Sequence, residues 1–194
     1  MESSTPPPRC MFFEISAELR NAIYEQVLIV SDCYDPIRLR ASTGLEVPAL
    51  LQVCRQIRNE AAQMYFKENH IELELVKCNP NLLYHWVKMA SRYVGSSCVD
   101  GLFAMRSVDY STEGTEDRNN ILQWCRLVRD GELEEWDRDG DVIKYGFASV
   151  IVVSGHQLAL QMRSRPWEEF VAAFDILYVA VENACEQTLA VNRY

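Results

Sequence analysis

The chain is short of nearly every residue pattern that announces a chemistry. It holds only three histidines, His70, His85 and His156. None has a second His or Cys at helical spacing, and no H-E-x-x-H, C-x-x-C or G-x-x-x-x-G-K-[ST] pattern occurs. Zinc sites and phosphate-cradling loops of the ordinary kinds are thereby excluded, and no metal or cofactor is expected. Eight glycines and seven prolines in 194 residues leave no room for collagen-like or low-complexity character. No apolar run approaches the twenty or so residues that a bilayer-spanning helix needs, so no membrane partner is expected. Cationic charge is scarce too: 19 Lys and Arg stand against 28 Asp and Glu, for a net charge of −9. The basic residues do not cluster along the chain. Nucleic acid is therefore a poor partner, because phosphate neutralisation supplies most of that affinity.

What is present is a core-forming composition, 48% hydrophobic and 10% aromatic. The first eleven residues, with Pro6, Pro7 and Pro8 in succession, read as an extended disordered tail. They have neither the apolar stretch of a secretory signal nor the basic amphipathicity of a transit peptide. Seven cysteines, an odd and scattered set, read as reduced thiols of a cytoplasmic or nuclear protein. Residues 113–141 carry ten acids against four arginines, a local net of −6, and read as a solvated face or a docking surface for a basic partner.

Periodicity sets out the elements. Ser16 caps a helix over about 17–30, with Leu19, Ile23, Tyr24 and Val27 at helical spacing. Residues 31–47 read as loop. Pro48 opens a second helix running to about Lys67, with Leu50, Leu51, Cys54, Ile57, Ala61, Met64 and Tyr65 as its stripe. Ile71 to Leu75 alternates as a strand with one wet face. Helices are predicted from Asn79-Pro80 to Val94 and from Thr115 through Val128, with a short strand at 102–105 between them. The β-branched segment 144–153 predicts a strand, and 157–163 reads as its hairpin partner or as helix, with alternation favouring strand. Pro166 begins a long last helix to about Thr188. The sum is an α+β domain over 12–194: an N-terminal helix pair packed on a small mixed or antiparallel sheet, with further helices.

Three local patterns invite chemistry. Ser154-Gly155-His156 follows an apolar run, yet position 152 is Val where a nucleophile elbow requires Gly. Turn chemistry explains Ser-Gly equally well, and Ser154 with His156 stays the only nucleophile and base pairing for a small hydrolase. Asp137-Arg138-Asp139-Gly140-Asp141 resembles the start of a calcium loop, but its glycine comes early and Ala148 stands where the loop needs glutamate. Arg55 and Arg58 could hold an anion jointly, or neutralise Glu60 and cap loop carbonyls; the second is favoured.

The stretch Phe13-Glu14-Ile15-Ser16-Ala17-Glu18-Leu19-Arg20-Asn21-Ala22-Ile23-Tyr24 resembles the opening of fungal F-box-like proteins and of the related "two E-x-R" domain family. Leu50-Leu51-Gln52-Val53-Cys54-Arg55-Gln56-Ile57-Arg58-Asn59-Glu60-Ala61 resembles the segment that follows in those families, and Met64 to Asn69 their "FYxxN" ending. The likeness covers about residues 12–75, its helical part about 12–67. Ser16 stands where those families carry proline, and Gln56 where the second E-x-R carries its acid. The resemblance implies a non-enzymatic protein-interaction module, a substrate adaptor of a cullin–RING ubiquitin ligase. Its protein-binding residues would be Ile15, Leu19, Ile23, Leu50, Leu51 and Cys54, and its partner a Skp-type linker subunit. The alternative is a structural or scaffold domain without a ligase link, including a homo-oligomer.

Overall fold

The computed structural model describes residues 11–32, 34–42, 44–45, 47–95, 104–108, 115–133 and 147–191. A 3-10 turn over Met11–Phe13 leads to α1 (Ala17–Leu28). Ser16 caps α1, its Oγ accepting from the Leu19 N–H at 3.4 Å. Then come β1 (Ile37–Leu39), α2 (Ala49–Gln52), α3 (Arg55–Glu68), β2 (Ile71–Val76), α4 (Asn81–Val94) and β3 (Ala104–Val108). The C-terminal helices are α5 (Thr115–Arg129), α6 (Phe147–Gln161) and α7 (Trp167–Val191). The α+β class holds, but the sheet is neither mixed nor antiparallel. It has the order β1-β2-β3 and both pairs are parallel, with Ile37 opposite Ile71 and Leu73 opposite Met105.

Each step across this sheet moves one strand in the same direction. Right-handed crossovers then place the connecting helices on one face. Ile71, Leu73 and Leu75 are buried with Phe66 of α3 and Trp86 of α4, whose rings meet edge to face at 6.1 Å. On the other face Glu72 pairs with Arg38 at 2.9 Å and Glu74 with Arg40 at 2.6 Å. The strict alternation of β2 thus marks a strand with apolar residues on one face and ion-paired, half-buried carboxylates on the other. The β2–α4 turn carries two successive residues with positive φ, Lys77 at 51° and Cys78 at 55°, closed by Asn79 N–H donating to the Val76 carbonyl at 3.0 Å.

Four further expectations are corrected. The second helix does not run unbroken from Pro48: it stops at Gln52, and Cys54 adopts extended backbone before α3 begins. Cys54 Sγ accepts from the Ile57 N–H at 3.5 Å, and Arg58 Nε donates to the Leu51 carbonyl at 2.7 Å. The break therefore leaves groups at both helix ends satisfied. Residues 31–47 contain β1, too short to show a period. The segment 147–161 is helix, not a strand and hairpin. Ile151, Val152, Gly155, His156 and Ala159 are all buried, as expected for a helix packed between α5 and α7. Burial of this one face against two helices overrides the strand preference of Val and Ile. Gly155 is where α6 comes closest to its neighbours: a Cβ there would lie 2.9 Å from Phe174 Cε2 and 3.0 Å from Cys125 Sγ. The proline-rich tail, the 134–141 part of the acidic segment and the Asp137–Asp141 turn fall outside the described residues, apart from Met11.

Candidate functional surface

Only a narrow strip of α1 meets the rest of the protein. Tyr24 and Leu28 are buried and Arg20 is half-buried, at i, i+4 and i+8. Two polar clips hold this strip against α3. At the first, the Glu60 carboxylate accepts from Arg20 Nε at 2.9 Å, Tyr24 Oη at 2.9 Å and Gln56 Nε2 at 2.9 Å. Arg20 Nη1 also donates to the Ile15 carbonyl at 2.9 Å. Hydrogen bonds from Arg20, Gln56 and Tyr24 pull the Glu60 pKa down to about 2. Burial, with Glu60 as hydrogen-bond partner, pushes Tyr24 up to about 12. At the second clip Asn69 is buried between the ends of both helices. Its Oδ1 accepts from the N–H groups of Val30 at 2.8 Å and Ser31 at 3.2 Å. Its Nδ2 donates to the carbonyls of Leu28 at 2.7 Å and Tyr65 at 2.9 Å. One amide thus caps two helices.

The neighbouring face of α1 is apolar and open. Leu19 is 58% exposed, Ile23 40% and Val27 52%, at i, i+4 and i+8, and Val30, in the extended chain just past the helix, is 66% exposed. Ala22 and Gln26 flank the helical three and are exposed too. A core-forming helix would turn such a stripe inward, so three large aliphatic side chains in one line on the surface stand apart from scattered single exposures. The acids on this segment, Glu14, Glu18 and Glu25, are exposed, while its one cation, Arg20, is engaged by Glu60.

The six residues assigned from the family resemblance do not form one exposed surface. Leu19 and Ile23 lie open on α1. Ile15, Leu50 and Cys54 are half-buried, and Leu51 is interior at 1% exposure. Val27 contributes to the open stripe equally, and Val30 extends it. Helical spacing from Leu19 was the signal for Val27; Val30 lies past the helix end, where that spacing no longer applies. Arg58 is spent on the Leu51 carbonyl, the loop-capping role favoured from sequence, while Glu60 is held by Arg20. An open groove of ≈ 870 Å³ beside them is lined by Leu45, Val47, Pro48, Leu51, Arg58 and Tyr93. Its Gln52 side chain is bonded to the Val47 carbonyl at 2.6 Å.

Ser154 and His156 both lie within α6. Two positions on one helix are rotated by about 200° from each other, so these side chains do not face one another as a nucleophile and base must. His156 is fully buried, with its ring edge to face with Trp124 at 5.2 Å, and desolvation depresses its pKa to about 3. Cys125 is buried nearby, and its thiol is pushed up to about 12 by desolvation. Among the described residues no group of three His, Cys, Asp or Glu side chains converges on a metal site. Among the same residues, no helix is long and apolar enough to cross a membrane. No family model, curated protein or solved structure matches this chain.

Proposed function

We propose that the chain is a protein-interaction module that presents α1 to a partner, and that it serves as a substrate adaptor through an F-box-like N-terminal part. The observation that carries this reading is the open line of Leu19, Ile23 and Val27 on a helix otherwise clipped firmly in place, with exposed Val30 just past its end. Covering these half-exposed side chains is worth roughly 3–6 kcal/mol before association costs. A micromolar complex needs about 8 kcal/mol, so neighbouring contacts must contribute as well. The mechanism is helix-in-groove packing, with no bond chemistry in this chain.

The first partner to test is a fungal Skp-type linker subunit, which the resemblance of residues 12–75 points to. Co-purification at micromolar concentration is the assay. Leu19→Asp and Val27→Asp abolish the complex while leaving folding intact, because both positions are on the surface. Absence of any complex with the wild-type chain removes the ligase role. A complex that survives both substitutions removes α1 as the docking element.

A further inference from the structure

Two arginines of α5 meet one indole, and the α6–α7 turn brings a third, Arg163, alongside the end of the same helix. Arg126 and Arg129, in the last turns of α5, place their guanidinium carbons 5.5 Å and 5.7 Å from the centre of the Trp167 ring. Arg129 Nη2 donates to the Arg163 carbonyl at 3.2 Å and also to the Arg165 carbonyl, bringing the α6–α7 turn against α5. The Arg163 guanidinium lies beside Gly131, where an added Cβ would come within 3.3 Å of its Nη2. Among the described residues, the acids close by do not saturate this charge. Asp130 reaches Arg126 only at 4.0 Å and Glu169 reaches Arg165 only at 3.9 Å, both as exposed pairs within one helix, and Glu168 is exposed at the start of α7. One further observation points to a missing acceptor: Arg129 Nη1 is buried and makes no hydrogen bond among the described residues. Buried donors of that kind are ordinarily satisfied.

We propose that this cluster binds a phosphate-type dianion, a phosphomonoester either free in solution or carried on a protein side chain. A tetrahedral dianion offers several acceptor oxygens at once to forked guanidinium donors, which the resident carboxylates do not. Arg126 and Arg129 beside Trp167, with Arg163 at the neighbouring turn, suit a compact anion. An extended polyanion would meet the repulsion of a chain with net charge −9.

The test is calorimetric titration at low salt, paired with thermal melting. The probes are inorganic phosphate, a phosphoserine peptide, its unphosphorylated form and a six-nucleotide single-stranded DNA. Saturable binding of phosphate or phosphopeptide is expected at millimolar affinity or tighter, with a rise in Tm. The double variant Arg126→Ala/Arg163→Ala, made at two exposed positions with far-UV circular dichroism as a folding control, weakens it at least about tenfold. Phosphopeptide binding at least tenfold tighter than inorganic phosphate identifies a side-chain source; equal affinities identify a free anion. The proposal is overturned if neither phosphate probe saturates, if the double variant binds as the wild type does, if the unphosphorylated peptide binds equally well, or if the oligonucleotide binds best.

Discussion

Asn69 offers the sharpest test of how α1 is held. Replacing it with alanine removes the partner of two backbone N–H groups and of two buried carbonyls, those of Leu28 and Tyr65. A net loss of about 1 kcal/mol for each of the two buried bonds, with part of the desolvation penalty of the orphaned groups, gives about 2–4 kcal/mol. That is a large share of the 5–15 kcal/mol typical of a whole domain. Asn69→Asp is the more discriminating change. It keeps the acceptor that faces Val30 and Ser31 but sets a second oxygen against two carbonyl oxygens at 2.7 and 2.9 Å, in a site 4% exposed. A buried carboxylate so placed has its folded-state pKa raised above the ordinary value near 4. Its penalty is therefore absent below about pH 4 and grows as pH rises through the folded pKa. Urea unfolding followed by circular dichroism at pH 4 and pH 7 reads this directly. Asn69→Asp should be less stable than Asn69→Ala at pH 7, with the gap narrowing or reversing at pH 4. Equal stabilities of the two variants at pH 7, or an alanine variant within about 0.5 kcal/mol of wild type, refute the double-cap account.

Four other substitutions test the Glu60 clip and two tight backbone positions. Glu60 has its folded pKa near 2 against an ordinary 4.5, so its stabilisation is complete above about pH 4.5 and disappears as pH falls toward 2; Glu60→Gln should flatten that part of the Tm profile, and an unchanged acid limb counts against the clip. Tyr24 works at the other end of the scale, its pKa of about 12 making stability fall as pH climbs from 10, which Tyr24→Phe should suppress in alkaline melts. Lys77→Gly relieves a positive φ of 51° and should raise stability by about 0.5–1 kcal/mol in urea melts, whereas Gly155→Ala should lower it, because overpacking against Phe174 and Cys125 at about 1–3 kcal/mol outweighs roughly 1 kcal/mol of helix propensity.

The readable parts of this fold were those whose local pattern coincides with their burial. Ile71 to Leu75 alternates because one face of β2 is covered and the other carries ion pairs, and α1, α4, α5 and α7 carry strong caps or stripes. The misread parts are those where tertiary context decides. Val150 to Val153 has the composition of a strand, yet packing between two helices buries Ile151 and Val152 on one face of α6 together with Gly155, His156 and Ala159. On α1 the pattern Leu19, Ile23, Tyr24, Val27 looks like one stripe; only packing separates Tyr24 and Leu28, which go inward, from Leu19, Ile23 and Val27, which do not. The candidate surface was accordingly half legible, with Leu19 and Ile23 found and Val27 and Val30 missed. The arginine cluster was invisible, since Arg129 and Arg163 stand far apart in the chain and come together only because α6 turns back on α5.

Pinning α1 at Glu60 near its start and Asn69 at its end has a mechanical result. A rod fixed at two points along its length can neither roll about its axis nor swing, so whatever grips its outer edge inherits a set bearing toward the remainder of the molecule. A single greasy contact would have left that bearing loose. In such an arrangement the angle between two bound bodies is written into two hydrogen-bonded side chains, and loosening either one changes the alignment of a complex before it changes its affinity.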